Sequence, residues 1–129
     1  MATSRRAVYT DKAPKPLGPY SQAIILGNLV FCAGQVGINP ATGQVVEGGV
    51  EAQAHQVIAN LHAVLAAAGS SFDRVVKTTI FLTNVGDFAT VNKIYGEAVG
   101  DPPPARSTVG VAALPGGAVV EIEVIAEVE

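Results

Sequence analysis

Arg106 sits in the stretch Pro104-Ala105-Arg106-Ser107 and is the sole charged residue between Asp101 and Glu121. Pro102, Pro103 and Pro104 precede it, and their fixed φ angles give a stiff lead-in. A lone arginine in apolar surroundings requires an anion, because an unpaired buried charge is costly. Two anions fit: a glutamate of the same chain in a salt bridge, or the carboxylate of a small substrate gripped through two parallel hydrogen bonds. Local sequence leaves both open. The second candidate is Glu121. A final strand would place Glu121, Glu123, Glu127 and Glu129 on one side and Val120, Ile122, Val124, Ala126 and Val128 on the other. A solvated face accounts for such a row. Glu121 differs in following a hairpin turn at a strand end, where clefts form, and is a candidate general base. The sequence does not say whether Arg106 and Glu121 meet.

Fewer residues remain for other chemistry. Tyr20, in Gly18-Pro19-Tyr20-Ser21, offers a hydroxyl, and Gly34, in Cys32-Ala33-Gly34-Gln35, would let backbone approach a ligand. Core packing accounts for both segments equally well. Cys32 lies in the apolar run Leu29-Val30-Phe31-Cys32-Ala33 and reads as a packed thiol. His55 and His62 are seven apart; a metal pair on a helix prefers a step of four and needs a further ligand, so both read as solvent-facing. No nucleophile elbow, P-loop or dinucleotide fingerprint is present, and no metal-ligand cluster.

The elements that must position these residues follow from periodicity. Ala23 to Leu26 and Leu29 to Ala33 are short apolar runs broken by Gly27-Asn28, a hairpin signal. Asn39 to Gly43 reads as a turn. Val50, Ala54, Val57, Ile58, Leu61, Leu65 and Ala68 recur at helical steps, and Gly69 suits the C-terminal cap. Val75 to Thr83 is a strand rich in β-branched residues. Asp87 can cap a second helix with the stripe Phe88, Val91, Tyr95 and Ala98, stopped by Gly100 and the prolines. Ala105 to Ala113 and Val119 to Val128 follow as strands joined through Leu114-Pro115-Gly116-Gly117. The order gives an α+β, or split βαβ, single domain: about six strands in a mixed sheet with two helices on one face. Both faces of the Ala23–Leu26 and Leu29–Cys32 strands are apolar, so the face without helices should pack on copies of the chain.

The chain of 129 residues suits one domain, residues 1–129, with residues 1–13 as an N-terminal arm and edge strand. A net charge of -3 and scattered basic residues argue against a nucleic-acid partner. No apolar stretch approaches the ~18 residues of a membrane span, and Arg5-Arg6 leads into no secretory segment. With a single cysteine, a cytoplasmic location is expected.

Gly18-Pro19-Tyr20-Ser21-Gln22-Ala23, Ala33-Gly34-Gln35, Val76-Lys77-Thr78-Thr79, Asp87 to Asn92, Pro104-Ala105-Arg106-Ser107 and Val120-Glu121-Ile122-Glu123 resemble, in order, the Rid (RidA/YjgF) family of reactive intermediate deaminases. The resemblance spans about Pro14 to Glu127. It implies a chorismate-mutase-like fold, a homotrimer with clefts between subunits, and cofactor-independent hydrolysis of 2-imino acids to 2-keto acids and ammonia. By position, Arg106 would hold the substrate carboxylate, Glu121 would activate water, and Tyr20 would line the cleft. Backbone near Ala33, Gly34 and Thr108 would contribute, and Asn92 would support the site. An imine needs no covalent nucleophile, since a protonated C=N is already electrophilic; positioning and a general base suffice. Ala33 stands where many members have Ser, and Thr108 where some have Cys. A non-catalytic module binding keto or amino acids in the same cleft is the alternative.

Overall fold

The computed structural model describes residues 4–128. Glu129, the last of the acidic row, and the first three residues of the arm lie outside them. The described residues form strands β1 (Arg6–Val8), β2 (Ala23–Leu26), β3 (Leu29–Val36), β4 (Ile38–Asn39) and β5 (Gln44–Val45), helix α1 (Gly49–Ala67), strand β6 (Val75–Leu82), helix α2 (Phe88–Ala98), and strands β7 (Ala105–Gly110) and β8 (Val120–Glu127). Six of the strands make one mixed sheet in the order β1-β2-β3-β8-β6-β7, and β4 and β5 form a separate small hairpin. The expected α+β architecture is observed.

Alternation decides which side of each strand enters the core. Val120, Ile122, Val124 and Ala126 of β8 are buried with Val30 of β3 and Ile80 and Leu82 of β6, under Val57, Leu61, Val64 and Leu65 of α1. Each of these valine, leucine and isoleucine side chains contributes about 1.5–3 kcal/mol on leaving water. The α1 helix closes as its sequence suggests: Gly69, at φ 80°, follows it, Ser70 N–H donates to Leu65 O at 2.8 Å and Gly69 N–H to Ala66 O at 3.1 Å. No described helix is long and apolar enough to cross a membrane.

Two expectations fail. Asp87 stands at the start of α2 but its side chain makes no capping bond; Asn84 Oδ1 instead accepts from Gly86 N–H at 2.9 Å in the preceding turn. The chain is already helical through Val85–Asp87, so the capping position falls earlier. The last two strands also do not form a hairpin. β6 lies between them, because α2 carries the chain from β6 across to a parallel β7 at the sheet edge. β7 ends at Gly110, short of Ala113, and β8 inserts between β3 and β6.

The face away from the helices is not wholly polar. Ile24, Phe31 and Ile125 form a cross-strand row that runs on through Lys77 to Ala105, and Val36, Glu121, Phe81 and Val109 form another. Phe31 and Val109 keep 40% and 42% of their surface exposed.

Candidate active site

Arg106 is placed by the βαβ crossover. Its register partner on β6 is Thr78, whose partner on β8 is Val124, so all three point to the helix side. At the sheet edge the guanidinium reaches α2. Nη1 donates to Asn92 Oδ1 at 2.7 Å, and the guanidinium carbon lies 5.5 Å from the Phe88 ring centroid and 5.3 Å from that of Tyr95. The Tyr95 hydroxyl donates to Thr78 Oγ1 at 2.8 Å. Among the described residues no carboxylate pairs with Arg106, so the intrachain salt bridge left open by the sequence is not formed. Thr108, two residues on and on the same side, has a buried Oγ1 with no hydrogen-bond partner.

Glu121 faces the other way. Its neighbours across the sheet are Phe81 and Val36, and its carboxylate crosses the backbone at Gly34. A Cβ at Gly34 would overlap Glu121 Oε2 and lie 2.8 Å from its Cδ. This close approach is what glycine permits there. Burial, and secondly the charge of Glu123, push the Glu121 carboxyl above the usual carboxylate pKa. A cavity of about 200 Å³ on this face is lined by Phe31, Lys77, Thr79, Glu123 and Ile125, one row away from Glu121.

The remaining candidates divide between these two groups. Ala33 N–H donates to Gln22 O at 2.9 Å, which ties the strand leading to Gly34 to the segment that carries Tyr20. Tyr20 is exposed, and its hydroxyl accepts from Leu17 N–H at 3.3 Å. Asn92 and Thr108 belong with Arg106. Cys32 is buried on the helix side with its thiol pushed up to about 12 by desolvation, and His55 and His62 are exposed on α1, as expected for all three.

Sequence reasoning missed several supports. Phe88 and Tyr95 read as core stripe, yet both rings face Arg106. Gln53 and Asn60 are buried on α1 and hold strand ends: Gln53 Oε1 accepts from Val119 N–H at 2.9 Å, and Asn60 Nδ2 donates to Val36 O and Ile38 O. They fix the backbone on either side of Glu121. A polar residue within an apolar helical stripe was the available signal.

The sequence model of the Endoribonuclease L-PSP family matches residues 10–128. Human 2-iminobutanoate/2-iminopropanoate deaminase is 46% identical over 122 residues, covering 95% of this chain and 89% of that protein. The crystal structure of RidA from the Antarctic bacterium Psychrobacter sp. superposes with a TM-score of 0.92 at 46% identity, covering 95% of this chain and 99% of that one. That of E. coli TdcF with bound serine gives 0.88 at 38%, covering 96% and 99%. The chain belongs to the Endoribonuclease L-PSP family, the Rid (RidA/YjgF) family that its motifs resemble.

Proposed function

We propose that the chain hydrolyses 2-imino acids, formed from enamines such as 2-aminoacrylate, to 2-keto acids and ammonia, in clefts between the subunits of a homotrimer. One observation carries the reading: an arginine whose charge no described carboxylate neutralises, near a hydroxyl oxygen shielded from solvent and without a hydrogen-bond partner, in a chain whose glutamate is held above its ordinary pKa. The human relative's name supports the reaction, and the serine in the TdcF structure supports a ligand bearing a carboxylate.

In this reading Arg106 grips the substrate carboxylate through two N–H bonds. Glu121 takes a proton from water as the water oxygen bonds to the imine carbon and the C=N pair moves onto nitrogen. Glu121 then returns that proton to the amine nitrogen. The C–N bond breaks with its pair leaving on ammonia as the hydroxyl oxygen forms C=O and gives its proton to Glu121, which passes it to the ammonia; from a protonated imine this leaves a 2-keto acid and ammonium. A general base of this kind is worth roughly 10²–10⁴-fold. Tyr20 and the backbone of Ala33 and Gly34 line the Glu121 side, while Asn92 and Thr108 line the Arg106 side.

The same geometry supports the oligomer. Arg106 occupies an edge strand on the helix side, and Glu121 the open side, which also exposes Phe31 and Val109. Packing that apolar face against the edge of another copy would remove it from water and bring the two halves together. A cytoplasmic setting suits the single, buried thiol. RNA, which the family's description names, suits the chain less well: its net charge is -3, and its basic residues are scattered along the sequence.

The test is to generate 2-aminoacrylate in situ and follow keto-acid release. Acceleration by the wild type that is lost in Arg106→Ala supports the proposal. No acceleration, or equal acceleration by the variant, defeats it, and heat from 2-ketobutyrate binding without turnover would then favour the binding module.

A further inference from the structure

We infer that Phe88, Asn92 and Tyr95, one stripe of α2, are the positioning residues of Arg106 and hold its guanidinium, unneutralised, in the plane that receives a carboxylate. The inference rests on the carboxylate-clamp reading above. Steps of four and three residues put the three side chains on one helix face. The guanidinium carbon lies within the ~6 Å reach of a cation–π contact from both rings, at 5.5 and 5.3 Å. Asn92 contributes an amide oxygen 2.7 Å from Nη1. A carboxylate there would orient the arginine equally well but would cancel its charge; an amide orients it and leaves the charge for a ligand.

The Tyr95 ring is itself fixed. Its hydroxyl donates to Thr78 Oγ1 at 2.8 Å in the core, and Thr78 is the β6 register partner of Arg106. The sheet residue beside Arg106 and the helix residue beneath it are therefore tied together, and the guanidinium lies against that tie. Phe88 keeps 41% of its surface exposed at the start of α2, so burial of its own ring does not account for its position. The ring covers one side of the guanidinium. A long side chain on an edge strand would otherwise lose rotamer freedom on gripping a ligand, and holding it in advance removes that cost. A grip made equally in the ground state and the transition state acts on KM rather than kcat.

The experiment titrates 2-ketobutyrate, and separately its neutral amide 2-oxobutanamide, into wild type, Phe88→Leu, Tyr95→Phe and Tyr95→Leu, with steady-state kinetics on 2-iminobutanoate in parallel. Phe88→Leu should weaken the keto acid about 2- to 5-fold, the range of an exposed cation–π contact. Tyr95→Leu should weaken it more than Tyr95→Phe does. KM should rise in the same proportion with kcat held, and amide binding should not change. Phe88 is exposed, so its variant stays informative even if Tyr95→Leu fails to fold. Wild-type keto-acid affinity in Phe88→Leu would overturn the inference, as would a loss confined to kcat or an equal weakening of the amide. If wild type binds the keto acid with this pattern yet hydrolyses no imine, the deaminase reading fails and the positioning inference stands.

Discussion

The guanidinium of Arg106 and the carboxylate of Glu121 lie on opposite faces of one sheet, with β6 between their strands. Their backbone positions are roughly 10 Å apart across the sheet and roughly 10 Å apart along it, from standard strand spacing and rise. Arg106 sits at the end of the row Cys32, Val124, Thr78, and Glu121 in the row Val36, Phe81, Val109. On the proposed function, a substrate that meets both groups would take them from different copies of the chain.

Gly34 tests the Glu121 half alone. A methyl group there meets the far end of the Glu121 side chain, which can swing aside, so Gly34→Ala should fold. It should also displace the base, and kcat/KM on 2-iminobutanoate should fall at least about 10-fold, toward the value without a general base. A thermal melt within a few degrees of wild type beside that loss is the expected pair of results. Full activity would place the reacting water elsewhere.

The raised pKa of Glu121 fixes two signs. The base works ionised, so kcat/KM falls as pH drops through its folded pKa. Glu123→Gln removes the smaller of the two causes and should move that limb to lower pH. The folded chain also holds this proton more tightly than the unfolded chain. The group's contribution to stability is therefore full below the unfolded pKa and lost as pH rises through the folded one. Glu121→Gln should raise Tm at neutral pH and leave it unchanged at about pH 3, where both states are protonated. Calorimetric melts at the two pH values check the sign.

Gln22 is a structural prediction near Tyr20. Its buried amide accepts from Thr10 N–H at 2.7 Å and donates to Thr10 O and Pro14 O, both at 2.9 Å. Gln22→Ala leaves those backbone groups without partners and should cost about 1–3 kcal/mol. Hydrogen exchange should quicken at Thr10 and in β1 before it changes in β8. Uniform quickening would show that the arm opens only with the whole sheet.

The helices and most strands were legible because each advertises its own period: α1 through Val57, Leu61 and Leu65, and β8 through its alternating Val, Ile and Glu. The Gly27-Asn28 hairpin and the Gly69 cap were legible for local reasons too. What failed was pairing between elements. Nothing near Leu114-Pro115-Gly116-Gly117 says that β7 and β8 are separated by β6; the crossover by α2 decides it. Tyr95 is in the core as its stripe suggests, but its contact with Arg106, and that of the exposed Phe88, went unread for a related reason. A helical stripe shows which residues face inward but does not distinguish a core from an arginine lying against it. Arg106 and Glu121 could be singled out as types in context, and their placement on opposite faces depended on a register the sequence does not carry.

The central claim, a site shared between copies, is tested most directly by mixing two inactive chains. Arg106→Ala and Glu121→Gln, each near background alone, are co-expressed at equal levels so that subunits assort freely. If each cleft takes Arg106 from one copy and Glu121 from the next, about a quarter of the clefts hold both groups, by random assortment in a closed ring. Imine hydrolysis at about a quarter of the wild-type rate is the predicted result. A mixture no more active than its two parents would mean that both groups must come from one chain, and would contradict the account.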